Sequence, residues 1–401
     1  MTVSISRLKS GYYLLTALAT LASSYFFGYL FFFLRDRFGF GDRENLAVAA
    51  LHGAIYVVSA WQCGKFAERH GFHTSLTIGF GGLALCMAAG ALAPTAAIEV
   101  AVIAVFSVVL LFIWPALEAL ITEHEPPARV PHAIGWYNAM WSAPAAFAYF
   151  TGGSLYAWLG VGAVFWVPAG IYLLGLLVTR WLARLATLAA ESWLPRVTDA
   201  RPSEAAIVST SVPPATFLKL GWFANPFSFV AVFTLIALMP RLATKFGLTA
   251  GQVGLFCSVW LFGRFAAFIW LWHWTGWHYR FRWLVGGYLL LLGSFVVILL
   301  APVLAVVMAA QVGFGVACGL LYYSSLFYSM DVGEARAELG GLHEAALGVG
   351  IFAGPAVGAV SSHLFPGHAH ASAVAVSGLL AAGFAVLVGI WAQARWRHRE
   401  S

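Results

Sequence analysis

Residues 45–93 read NLAVAALHGAIYVVSAWQC, then GKFAERHGFH, then TSLTIGFGGLALCMAAGALA. An apolar run at 45–63 and another at 74–93 flank a short charged stretch at 64–73. Each run has the length of about 20 residues that a helix needs to cross hydrocarbon. Residues 45–93 therefore predict two spanning helices joined at one membrane face.

The same pattern continues in both directions. Further runs of spanning length lie at 11–33, 96–121, 132–154 and 160–182, and then at 216–239, 250–272, 282–300, 302–327, 339–361 and 371–391. Together they predict an all-α membrane protein of twelve transmembrane helices. Turn and charge signals separate the runs, among them Arg35-Asp36-Arg37, Pro94-Thr95, Glu125-Pro126-Pro127 and Pro366-Gly367-His368. The narrowest boundary is Ala301-Pro302. Arg7 and Lys9 precede the first run, and no small-residue cleavage site follows it, so that run is expected to be a retained helix.

Composition supports the same class. Of 401 residues, 61% are apolar and 9% charged, against about 25% charged in soluble domains. A soluble core could not hide this much apolar surface behind so little polar surface; a bilayer removes the difficulty. The net charge of +6 comes from short basic runs between apolar stretches, which argues against nucleic acid as a partner. Cys63, Cys86, Cys257 and Cys318 are isolated within apolar runs and have neither disulfide nor metal-ligand spacing. No phosphate-binding glycine loop and no nucleophile–base signature is present, so neither cofactor nor enzymatic activity is expected. His363, His368 and His370 lack a supporting carboxylate or thiol, and no metal site is expected.

Basic residues set the orientation. With both termini cytoplasmic, sixteen of the 22 basic residues fall in inside segments. Arg35, Arg37, Arg43, Arg241 and Lys245 fall outside, and Arg264 lies within a span. This asymmetry is the positive-inside bias for an even number of spans. Residues 183–215 turn polar, with Arg196, Asp199, Arg201, Glu204 and Pro213-Pro214, and read as a cytoplasmic linker between a front bundle (1–182) and a back bundle (216–401). The halves repeat weakly. Gly71-Phe72-His73 with Gly81-Gly82 returns as Gly276-Trp277-His278 with Gly286-Gly287, and Gly135, Ala139 and Gly152 return as Gly341, Ala345 and Gly358. Two pseudo-symmetric six-helix bundles follow, with a solute site between them near the midplane.

The 64–73 stretch resembles the signature of the major facilitator superfamily. It keeps both glycines (Gly64, Gly71), the small Ala67, the acid Glu68 and the base Arg69. It departs at Phe72 and His73, where the family usually has two basic residues. The resemblance, with twelve spans, a central linker and a repeat, covers essentially the whole chain. It implies alternating access, with Gly64, Glu68, Arg69 and Gly71 latching the cytoplasmic side. The alternative is an ordinary turn whose charges meet water. The run from Gly348 to Gly358 resembles the glycine–proline motif that some exporters carry in helix five. Here helix five has Trp141-Ser142-Ala143-Pro144 instead.

Small residues at three- and four-residue spacing in helix eleven, Gly350, Gly354 and Gly358, suit close helix packing in lipid, and Pro355 predicts a bend. Ionisable groups at membrane depth are costly and mark function. They are Arg264, Glu344, Glu118 and His52, the candidates for proton coupling. Each also has another reading: Arg264 as partner of Glu344, Glu118, a backbone carbonyl or an anionic substrate, Glu344 as a helix N-terminal charge, Glu118 as interfacial, and His52 as bonded to a neighbouring helix. The resemblance places helices one, four, seven and ten around the cavity. The candidates there are Tyr25, Tyr29, Trp114, Asn225, Gln311, Tyr322 and Tyr323, joined by Asn138 and Trp141 of helix five. This aromatic, mostly uncharged set suits a small neutral or weakly charged organic solute.

The expected function is secondary active transport driven by protons, by a monomer embedded in a bilayer, with the bacterial cytoplasmic membrane as the expected location. The rivals are a facilitated uniporter and a non-transporting membrane sensor or scaffold of the same fold.

Overall fold

The computed structural model describes residues 5–123, 125, 129–190, 212–332 and 337–400. Among the described residues lie twelve long helices and no strand. The front half comprises α1 (Ile5–Phe38), α2 (Asp42–His70), α3 (Phe72–Ala91), α4 (Ala96–Thr122), α5 (Val130–Leu159) and α6 (Ala163–Ala190). The back half comprises α7 (Pro214–Lys245), α8 (Ala250–His273), α9 (Phe281–Leu300), α10 (Leu304–Val332), α11 (Ala337–Leu364) and α12 (Ala371–Glu400). Eleven are long and apolar enough to cross a membrane. The other, α5, has 30 residues, but its asparagine, serine, glycine and tyrosine positions dilute its hydropathy.

Several helices outrun their apolar cores. The charged stretch at 64–73 is not a separate loop. Instead α2 stays helical through His70, and only Gly71 breaks the chain before α3 starts at Phe72. Lys65, Phe66, Ala67, Glu68 and Arg69 include good helix formers and no breaker. Gly71 stops the helix with φ +91° while its N–H still donates to Ala67 O; a positive φ is a conformation glycine adopts readily. Likewise α6 runs to Ala190, past the expected linker start at 183, and residues 191–211 of that linker lie outside the described residues, as do Pro126 and Pro127 of an expected turn. In α4, Leu110–Phe112 tightens to a 3₁₀ turn before the helix resumes at Trp114-Pro115, because proline cannot donate to the preceding turn.

The halves meet chiefly along two pairs of helices, α2 against α11 and α5 against α8, with α7 also touching α1 and α2. Both seams depend on glycine. A Cβ on Gly53 of α2 would overlap the backbone of Phe352 on α11, and one on Gly254 of α8 would overlap the backbone of Phe150 on α5. Gly53 and Gly254 are 201 residues apart, and Phe150 and Phe352 are 202 apart. The two contacts are therefore the same contact, repeated by the internal symmetry. Helix–helix association in lipid relies on such close packing rather than on expelling water.

On α11 the small residues divide by face. Gly348 and Gly358 approach Val57 and Leu46 of α2, whereas Gly350 and Gly354 approach Pro226 O and Val230 O of α7. Pro355 lies inside α11. Helix eleven is thus wedged between its own bundle and the other.

Candidate functional site: the seam between the bundles

The seam holds three polar layers. The first surrounds Arg264, in the interior of α8 and 7% exposed. Its guanidinium lies 4.4 Å from the ring centroid of Trp141 on α5 and 4.9 Å from that of Trp260, one turn before it on α8. Among the described residues it forms no ion pair, and its Nε has no acceptor. The expected structural pairing with Glu344 or Glu118 is not formed. Cation–π contacts contribute about 0.5–2 kcal/mol each, whereas removing a charge from water costs several kcal/mol. The two rings therefore do not offset the charge, and an anion is electrostatically wanted there. Trp141 also packs on Tyr322 and Phe268, with centroids 5.4 Å from each. Its indole N–H donates to Asn138 Oδ1 at 3.0 Å, leaving the Asn138 amide nitrogen without an acceptor.

The second layer is a pair of carboxylates. Glu344 of α11 accepts a hydrogen bond from Tyr56 of α2, across the bundle boundary. Glu118 of α4 accepts one from Tyr137 of α5 at 3.1 Å. Glu118 lies near enough to Glu344 to feel its charge, and Tyr322 is near both. His343 sits against Tyr322, with centroids 5.9 Å apart. In a low dielectric such charge–charge coupling is strong. Two acids in one layer, each accepting a hydrogen bond from a tyrosine, are groups that can each hold a proton.

The third layer centres on His52, which is 2% exposed. Its Nδ1 is 2.7 Å from Ser107 Oγ, and Ser107 donates its own proton to Ile103 O. The pair is satisfied when Nδ1 carries the imidazole proton, an assignment made from the bonding network. The ring lies 4.6 Å from Phe27 and stacks at 5.7 Å on Phe233 of α7 in the opposite half.

The other candidates are dispersed. Tyr25 bonds Thr151 at 2.7 Å and Tyr29 bonds Tyr149 O at 2.6 Å, so both tie α1 to α5 within the front half. Tyr323 packs on Trp277 and, like Tyr322, on Phe268. Trp114 is partly buried at the restart of α4. Asn225 accepts from Ser228 through Oδ1, and its Nδ2 is unpartnered; both amide atoms of Gln311 are unpartnered. Gly64 lies on α2, and Glu68 and Arg69 are exposed on its last turn, with no hydrogen bond or ion pair among the described residues. Sequence reasoning missed Tyr56, Tyr137, Tyr149, Trp260 and Phe233. Two of them carried a signal: Tyr56 is four residues after His52 and Trp260 four before Arg264, spacings that share a helix face.

At the face opposite the termini, the bundles are tied by polar contacts. Arg241 Nη1 reaches Asp42 Oδ2 at 3.2 Å and Ala369 O at 2.7 Å, and Arg35 Nη1 donates to Pro240 O at 2.7 Å. Beside them a cavity of about 460 Å³ opens between the halves, lined by Tyr29, Arg35, Asp36, Tyr156, Thr244 and Val253 among others.

A fold of two matched helical bundles, with ionisable groups buried along the seam between them, defines a membrane transporter. The sequence model of the Major Facilitator Superfamily matches residues 12–355, and the chain belongs to that superfamily. Its structure is similar to that of a bacterial homologue of the human lysosomal transporter Spinster in its inward-facing, unoccupied conformation, with a TM-score of 0.64 and 14% identity over 98% of this chain and 97% of that one. It is equally similar to the human organic anion transporter MFSD10 (TETRAN), at TM-score 0.64 and 16% identity over 96% of this chain and all of that one. The occupied, inward-facing form of the Spinster homologue gives 0.60 at 15% identity. At these identities the likeness shows the fold. No curated protein sequence matches.

Proposed function

We propose that the protein is a proton-coupled secondary active transporter that moves a small, neutral or weakly charged organic solute by rocking its two bundles about the seam. The observation that carries this reading is the hydrogen bond from Tyr56 of the front half to Glu344 of the back half. Separation of α2 from α11 breaks that bond, so the protonation state of Glu344 and the opening of the seam are linked. Glu118, close by, is the second group through which a proton passes; Arg264 faces the solute, and His52 holds α2 to α4. Gly64, Glu68, Arg69 and Gly71 close the face that carries the termini, which lies in the cytoplasm of a bacterial cell with the chain a monomer in the cytoplasmic membrane. Asp42, Arg241 and Arg35 close the other face.

In proteoliposomes carrying a pH gradient, solute accumulation should be accompanied by proton movement. Glu344→Gln should abolish accumulation while leaving solute exchange at equal concentrations intact. Gradient-driven accumulation by that variant at the wild-type level would remove Glu344 from the coupling path.

A further inference from the structure

We infer that Arg264, with Trp141, Trp260 and Asn138, forms a binding site for a singly charged organic anion, a carboxylate or sulfonate on a flat apolar body. This rests on the transport reading above and narrows its solute from neutral or weakly charged to monoanionic.

The polar groups left over at this point are donors. Arg264 Nε, Trp260 Nε1 and Asn138 Nδ2 are all buried without an acceptor. The Asn138 carbonyl, which would otherwise serve as an acceptor, is already taken by the Trp141 indole at 3.0 Å. Buried donors without partners are costly and rarely left so. A ligand that brings two or three acceptor oxygens and one negative charge satisfies them and neutralises the guanidinium together, in the forked geometry that arginine favours. A neutral solute leaves the charge standing, and a cation adds to it.

A second negative charge is disfavoured from the other side. Tyr322 touches Trp141 and is also near Glu118 and Glu344, so those carboxylates, when ionised, oppose a further anionic group. The apolar body has rings to lie on: Trp141, Tyr322 and Phe268 in mutual contact, and Tyr149 against Trp260 at 6.4 Å. The donors come from both bundles, Asn138 on α5 and Trp260 and Arg264 on α8. The anion thus bridges the two bodies whose relative motion transport requires.

The test uses the full chain in lipid nanodiscs and three matched probe sets at fixed ionic strength: benzoate and benzamide, 1-naphthoate and 1-naphthamide, octanoate and octanamide, with benzylamine as the cation. Benzoate and 1-naphthoate should raise the melting temperature saturably, since a ligand that binds only the folded state stabilises it, and octanoate, which lacks a flat body, should do so less, while the amides and the amine should not. Arg264→Gln should lose the response. Two milder variants guard against misfolding: Arg264→Lys keeps the charge, and Trp260→Phe keeps the ring without its N–H. Each should weaken carboxylate binding by about tenfold, the worth of one charge-assisted hydrogen bond.

Carboxylates that do no better than their amides on the wild-type protein, or an undiminished carboxylate shift in both milder variants, would overturn the assignment. Counterflow in proteoliposomes separates this from the transport reading. A carboxylate that binds and is not moved keeps the site and removes transport. Transport indifferent to charge keeps transport and removes the site.

Discussion

Single side chains in this protein divide into those that bind the halves to themselves and those that bind them to each other. Tyr25 and Thr151 lie within the front half, whereas Tyr56 and Glu344 span the boundary. Tyr56→Phe leaves a buried carboxylate without its donor and should lower stability by about 1–3 kcal/mol. Tyr25→Phe, whose partner Thr151 is only partly buried, should cost less than about 1 kcal/mol. Thermal unfolding in detergent compares them directly, and equal losses would mean that the Glu344 contact carries no particular weight. Arg264, Glu344, Glu118 and His52 were legible in the sequence because a charge inside an apolar run is conspicuous. Their surroundings were not. Tyrosine and tryptophan are so frequent here that no rule of composition separates Tyr322, which touches Trp141 of the other half, from Tyr323, which packs on Trp277 of its own. Nor does sequence show that Arg264 meets rings where a carboxylate was expected, because that depends on which face of α5 meets α8.

At the scale of the helix, glycine decides where two rods can touch. Gly53→Leu and Gly254→Leu each force a side chain into the backbone of the opposing helix, and overpacking of this kind costs about 1–3 kcal/mol. Both variants should melt lower and transport poorly. Gly286→Ala, where nothing lies within 4 Å, should melt like the wild type. If all three behaved alike, the seams would not depend on close approach. The ion pair of Asp42 with Arg241 at the far face is about one-third exposed and contributes less than about 1 kcal/mol to stability. Asp42→Asn should therefore leave the melting temperature nearly unchanged yet increase thiol labelling of a cysteine placed at Tyr156 beside the far-face cavity. Unchanged labelling would remove that contact from the far-face closure. The number and order of the helices could be read from apolar run length alone. Their ends could not, because a helix does not stop where lipid does: α2 continues through Lys65, Glu68 and Arg69 until Gly71 breaks it, and α6 continues to Ala190.

The whole molecule is two copies of one architecture joined face to face, with glycine contacts repeated at nearly the same offset on both seams. The repeat was visible in the sequence as a few recurring glycines; that a similar but not identical offset also relates the contacts between the halves emerges only in three dimensions. Such an arrangement has two edges, and opening one while closing the other moves the seam between the two sides of a membrane. Pulsed electron–electron distance measurement in nanodiscs tests this most directly, on a background with the four native cysteines replaced. One spin-label pair, at Arg37 and Gly251, spans the halves at the far face; the other, at Arg69 and Arg282, spans them at the face carrying the termini. All four positions are exposed. As pH is lowered or a transported solute is added, the account predicts that one distance lengthens while the other shortens. Two distances that stay fixed under every condition, or that grow together, would contradict it.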